Sequence, residues 1–363
     1  MNAPAAPHSA RLHPDWTATF LRLSFLPVLL FATSSCDRQK AGSASAPGKA
    51  KNASVVQDLS QYPAFVMAGA FSESADLSAL AVMGASGHGI MVSDELRAAQ
   101  AILVSPEKST ITAGEMIPLF SVSGATEADL EGAAANPEAA CYYAVGSHGA
   151  SKKKGEFQND RCFVFRIPAD ASGVPQATGI KSTSLLPWLR QSPFADSVAR
   201  PLQQRGFNIE GLACKTGRLF IGVRGPNRNG NAFVLETAAE PLFTEAMPEV
   251  AIHEIALGAG FGIRELAPMK DGFLVLAGNA GPEPSKKFPQ SIDYDEAREY
   301  VLWWWRPGNA APLLKLSTLP GGKAKAEGLL VLGETDTSIK TLVIFDGVDN
   351  GEPRVLELTK PGA

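Results

Sequence analysis

Charged side chains recur in this sequence inside a small repeated signature. Asn208-Ile209-Glu210-Gly211-Leu212-Ala213 is its clearest copy, and degraded copies begin at Asp76, Asp129, Gly262 and Lys325. Aligned on the third residue, the copies make Ser78, Glu131, Glu210, Arg264 and Glu327 equivalent, with Glu265 beside Arg264. Hard cations take carboxylate oxygens, so Glu131, Glu210 and Glu327 form a candidate calcium set. Arg264 stands in the same ring. A guanidinium there either replaces a metal's charge or takes a phosphate or carboxylate bidentately. The remaining outcome is a closed network in which arginines pair with glutamates and nothing binds.

These residues need a scaffold that repeats. Each copy precedes a β-rich run: Ile90-Met91-Val92, Cys141–Val145, Leu219–Val223, Phe273–Ala277 and Thr341–Phe345. An inner strand followed by a hairpin, recurring every ~40–60 residues or so, is how a β-propeller reads. The fold class is therefore all-β, with five recognisable blades, or six if a degenerate blade hides in the longest interval. Strands are expected at 78–83, 89–93, 100–104 and 116–122; at 131–135, 141–147, 161–167 and 178–183; at 209–214, 218–223, 231–236 and 249–256; at 264–268, 272–277, 300–305 and 312–317; and at 327–332, 340–345 and 353–358. The long interval between blades two and three holds Leu185, Leu186, Trp188, Leu189, Phe194, Val198 and Leu202, read as short helices, with Ser192-Pro193 as an N-cap and N1 pair. Blade five is one strand short, and Ala64–Met67 is expected to close the ring, which removes free edges. Trp303-Trp304-Trp305 should be core, because both faces of a blade strand are covered.

In an antiparallel hairpin, the start of one strand and the end of the next lie at the same end. The inner-strand starts thus share a face with Asp94, Glu95, His148, Arg224, Asn227, Asn279 and Asp346, which follow second strands. Ligands usually sit in such a channel mouth. The candidate ligand-binding residues are Glu131, His148, Glu210, Arg224, Arg264, Glu265 and Glu327. Two long loops, 149–160 and 279–299, overhang this face. The first carries Lys152-Lys153-Lys154, which reads as a solvated run or as a phosphate contact.

Ile209-Glu210-Gly211-Leu212-Ala213, Ile221–Pro226, Gly262-Ile263-Arg264 and Leu274–Gly278 together resemble an uncharacterised bacterial β-propeller family, domain of unknown function 3616. Its members carry I-E-G-L-A, L-G-L-R-G-P, G-I-R and L-A-G-P in that order. Asn279 departs from the proline usual there. The glutamate-glycine element is distantly similar to that of phytase-like, gluconolactonase-like and strictosidine-synthase-like propellers. The resemblance implies that glutamates at this position can hold calcium on the propeller axis.

The chain has 363 residues, four cysteines and a net charge of −4, a balance that does not point to nucleic acid. Residues 1–36 read as a signal peptide, with Arg11 and Arg22 before the short apolar run Leu23–Ala32. That run is too short to span a bilayer, which needs about 20 apolar residues. It ends at Thr33-Ser34-Ser35-Cys36, which resembles a lipobox and makes Cys36 the expected lipidation site. Residues 37–60 read as a disordered tether and 61–363 as one propeller domain. No C-x-x-C suggests a zinc site. Gly258–Gly262 feeds a strand and so is no dinucleotide fingerprint. Cys141 and Cys162 are expected not to pair, because Cys141 should lie opposite residues near Arg166; Cys214 is the better partner if either pairs. The leading function is an exported, lipid-anchored, periplasm-facing propeller that binds a polar ligand or an envelope protein at the glutamate/arginine face. The alternatives are a calcium-dependent phosphoester or lactone hydrolase at that face, and a scaffold without catalysis.

Overall fold

Runs such as Leu219–Val223 and Phe273–Ala277 are buried at every position, which requires a strand covered on both faces. The computed structural model describes residues 59–120, 127–244, 247–309 and 312–361. The expected signal segment, Cys36 and the tether as far as residue 58 lie outside the described residues. Leu59–Gln61 is a 3-10 turn, and Leu59 packs on the core, so the tether expected to reach residue 60 is too long at its end.

Twenty strands form five sheets among the described residues. The short strand β1 (Val66–Ala68) comes first. Blade one is β2 (Leu77–Val82), β3 (His88–Ser93), β4 (Ala98–Ser105) and β5 (Thr110–Pro118). Blade two is β6 (Leu130–Asn136), β7 (Cys141–Gly146), β8 (Val164–Pro168) and β9 (Lys181–Thr183). Blade three is β10 (Asn208–Lys215), β11 (Arg218–Arg228), β12 (Asn231–Ala238) and β13 (Val250–Ile255). Blade four is β14 (Phe261–Pro268), β15 (Phe273–Asn279), β16 (Tyr300–Trp305) and β17 (Leu313–Leu319). Blade five is β18 (Lys325–Glu334), β19 (Ser338–Asp346) and β20 (Arg354–Thr359). The inner strands β2, β6, β10, β14 and β18 contact one another in that order and then return to β2. The ring is therefore closed at five blades, and the longest interval holds no sixth sheet among its described residues.

The core lies between blades. Each of five apolar clusters fills the wedge between two neighbours, and the strands supply both wedges by alternation. Cys141, Tyr143 and Val145 face blade three, while Tyr142 and Ala144 face blade one. Trp304 packs towards blade five, and Trp303 and Trp305 towards blade three. Trp304 and Trp305 are buried; Trp303 is only half-buried, so one indole of the three departs from the expectation.

Ring closure differs from the expected simple donation to blade five. Phe65 N donates to Pro353 O and Val355 N to Pro63 O, and Ala64 bridges Arg354. One residue later the chain changes sheets, and β1 pairs parallel with β5 of blade one. The segment thus laces two blades together. The insert holds α1 (Leu186–Leu189) and α2 (Ala195–Val198), whose apolar side chains complete the wedge between blades two and three. Ser192-Pro193 does not cap α2. Its hydroxyl donates to Leu189 O and accepts from Phe194 N, which makes a turn ahead of the helix. Cys141 lies opposite Pro168, two residues further from Cys162 than the sequence suggested, and Cys141, Cys162 and Cys214 are all free thiols.

Candidate functional site

The repeated third residue has a structural cause. Every inner strand breaks register there: between Leu77 and Ala79, Leu130 and Gly132, Ile209 and Gly211, Ile263 and Glu265, and Ala326 and Gly328. Ser78, Glu131, Glu210, Arg264 and Glu327 are therefore bulge residues, skipped by the ladder, and a bulge re-aims its side chain. The glycine that follows serves packing. A Cβ at Gly132 would stand 2.8 Å from Glu210 O and from Leu212 Cβ of the next blade. Inner strands can approach this closely only if that residue is small.

The bulge residues of blades three, four and five meet. Arg264 Nη1 lies 2.8 Å from Glu210 Oε2, and Arg264 Nη2 pairs with Glu327 Oε1. Arg224, from the end of β11, donates through Nη1 to Glu210 Oε1 at 2.6 Å. It also donates to Asn279 O at 3.1 Å and Gly281 O at 3.3 Å. Glu210 is 2% exposed, Arg264 3% and Arg224 6%. Burial by itself would raise the Glu210 carboxyl, but Arg224 and Arg264 outweigh it and hold the group below the usual carboxylate range. Glu131 faces Lys152 Nζ at 3.5 Å. Burial pushes its carboxyl well above the ordinary range, Lys152 opposes this, and Glu210 and Asp129 add to it. Burial likewise raises Asp94, to about 7.

Two predicted site residues are turned elsewhere. His148 is fully buried: Nδ1 lies 2.8 Å from Gly146 O, and Nε2 accepts from Leu185 N at 3.2 Å. Both ring nitrogens are used, so His148 anchors the insert and offers nothing to a ligand. Burial depresses its pKa to about 4, against a smaller upward pull from the Gly146 carbonyl. Glu265 follows the bulge, so alternation sends it into the wedge between blades. Its Oε1 accepts from Leu212 N of blade three and from Leu266 N, both at 2.8 Å. Burial raises its carboxyl well above the usual range; the two backbone donors only partly offset this.

Three excursions roof the face. Gln203, in the last 3-10 turn of the insert, donates through Nε2 to Lys152 O at 2.9 Å and accepts Ile292 N on its carbonyl. Arg205 pairs with Asp293 at 2.8 Å. Asn279, the departure from the family pattern, ties down its own loop through Asp295 N and Asp295 O, both at 2.9 Å. Beneath the roof lies a cavity of ≈ 380 Å³. Six cationic side chains line it: Lys152, Lys153, Arg224, Arg264, Arg298 and Lys325. Three carboxylates, Glu283, Glu296 and Glu327, oppose them, beside Tyr294, Tyr300 and Gln203. Arg298 donates to Asn279 Oδ1 at 2.7 Å and Ala259 O at 3.0 Å, neutral acceptors that leave its charge available. Lys325 pairs with Asp346 at 3.1 Å. Sequence reasoning missed Gln203, Arg298, Tyr300 and Lys325. Only Lys325, two residues before Glu327 in a repeat copy, carried a signal.

Calcium does not fit the expected trio. Both Glu210 oxygens and one of Glu327 are engaged by arginines, and Glu131 faces Lys152. Among the described residues no three His, Cys, Asp or Glu side chains gather as a ligand set.

Solved structures that resemble the chain include the Dos1 propeller, at 9% identity over 82% of this chain and 63% of that one, with a TM-score of 0.37. The Nup133 β-propeller domain of Vanderwaltozyma polyspora matches at 8% identity over 77% and 71%, with a TM-score of 0.34. An auxiliary nutrient binding protein from Bacteroides thetaiotaomicron matches at 7% identity over 81% and 76%, with a TM-score of 0.38. No curated protein matches the sequence. Residues 176–355, which hold the arginine-bearing blades three and four and most of blade five, match the family described as "Protein of unknown function (DUF3616)".

Proposed function

We propose that this protein is an exported, lipid-anchored β-propeller that binds a small anionic ligand in the cavity at the axial mouth. The observation that carries the binding reading is the lining: six cations against three carboxylates in a concave space of ≈ 380 Å³. Small-molecule sites commonly occupy roughly 300–1,000 Å³, with a few convergent polar groups, so the size favours a small ligand over an envelope protein. Arginine matches the planar, forked geometry of carboxylate and phosphate. The ion pairs to Glu210 and Glu327 hold Arg224 and Arg264 in place before a ligand arrives, while Lys153 and Arg298 bring charge that no carboxylate among the described residues neutralises at close range. Isothermal titration with inorganic phosphate, citrate and glycerol 3-phosphate tests the reading. At least one should bind, with an affinity that falls as salt rises and falls again in Arg298→Gln. No heat with any of them, across salt concentrations, returns the molecule to the scaffold reading. Export and anchoring rest on residues 1–36. Mass spectrometry of the mature protein should find an acylated N-terminal Cys36; an unmodified chain that starts elsewhere defeats that part.

A further inference from the structure

Gln203 is 1% exposed and lines the cavity, yet its Oε1 has no hydrogen-bond partner among the described residues. Its amide orientation is fixed by chemistry: Nε2 points at the Lys152 carbonyl, and a flipped amide would set oxygen against oxygen. An unmet acceptor in so buried a place costs free energy unless something donates to it. The cavity's other neutral polar side chains are Asn279, Ser285, Tyr294 and Tyr300; Asn279 and Ser285 are already bonded within their own loop, and Gln203 Oε1 is the buried acceptor of this group that is left unpartnered among the described residues. We propose that the ligand is a hydroxylated anion, whose phosphate or carboxylate meets the arginines and whose hydroxyl donates to Gln203 Oε1. The inference rests on the anion-binding reading above and adds the ligand's second functional group. It also gives the helical insert a purpose, since the insert's final turn is what delivers Gln203 to the mouth.

Matched pairs test it: glycerol 3-phosphate against n-propyl phosphate, and glycerate against propionate, titrated calorimetrically into the wild-type protein and Gln203→Met. In the wild type the hydroxylated member of at least one pair should bind about tenfold tighter, since stranding a buried acceptor costs about 1–3 kcal/mol. In Gln203→Met the deoxy member should keep its affinity and the preference should vanish. The pair that shows the effect tells phosphate from carboxylate. Equal affinities within both pairs in the wild type overturn the inference and leave anion binding intact. A preference that survives in Gln203→Met assigns the hydroxyl elsewhere and overturns it too. If nothing binds, the anion reading has failed and this one with it. Should Gln203→Met not fold, Gln203→Ala removes the acceptor without adding bulk or charge and must abolish the preference in the same way.

Discussion

Replacing Glu210 with glutamine removes the one carboxylate that both axial arginines share. Glu210 Oε1 takes Arg224 Nη1 at 2.6 Å, and Oε2 lies 2.8 Å from Arg264 Nη1. The amide retains one acceptor but turns a donor towards the second guanidinium. With the carboxylate 2% exposed, little water is available to screen the stranded charge. Breaking a buried ion pair on one side costs about 3–5 kcal/mol. At roughly 2 °C per kcal/mol for a domain of this size, Glu210→Gln should melt about 6–10 °C below the wild type. Calorimetry and urea unfolding, each with and without calcium, read this out. Calcium should change neither protein. Adding Arg224→Met to Glu210→Gln should cost less than the two single changes together, because it removes a partner already orphaned. The reasoning is refuted by a loss under about 1 kcal/mol, or by a calcium-dependent rise in wild-type stability that the glutamine variant lacks.

Three further outcomes follow from the same structure. His148 should make the fold acid-sensitive: its native pKa of about 4 lies below the ordinary 6.5, so between those values the unfolded chain binds more protons and stability falls as pH drops. From pH 7 to 5 the loss is about 2 kcal/mol, and urea titrations should show His148→Gln flattening that slope. Gly262→Ala places a Cβ 2.0 Å from Arg224 O, backbone that cannot move aside cheaply; overpacking should cost about 1–3 kcal/mol in unfolding experiments and weaken anion binding by displacing Arg224. Burial pushes the thiols of Cys162 and Cys214 up to about 12, and Cys141 is raised as well. Alkylation mapped by mass spectrometry should therefore miss all three in the native protein and label all three in denaturant without reductant.

The repeat was legible because the bulge imposes a constraint on sequence: a polar or charged residue aimed inward, then a small one that lets neighbouring inner strands touch. Glu131-Gly132, Glu210-Gly211 and Glu327-Gly328 satisfy both demands. Blade four breaks the second with Glu265, which is why counting it among the face residues failed; the residue after a bulge belongs to the wedge. His148 failed for a different reason. It does follow the second strand, as reasoned, but with φ +54° its backbone turns over and its ring goes under the insert. Gln203 and Arg298 could not be found by alignment of copies, since the insert and the loop that carry them occur once. Lys152 divided from its neighbours in a way that composition cannot express: in a run of three identical side chains, only Lys152 reaches Glu131.

The lacing of Pro63–Ala68 across blades five and one joins residues about 290 positions apart in the chain, and such distant pairings slow folding because loop closure must come first. Of the described strands β20 is made last, and until it appears Ala64 and Phe65 have no β20 ladder to join. A chain that stops short of β20 therefore has an unlatched first blade, and the latch between blades five and one closes only once β20 is present.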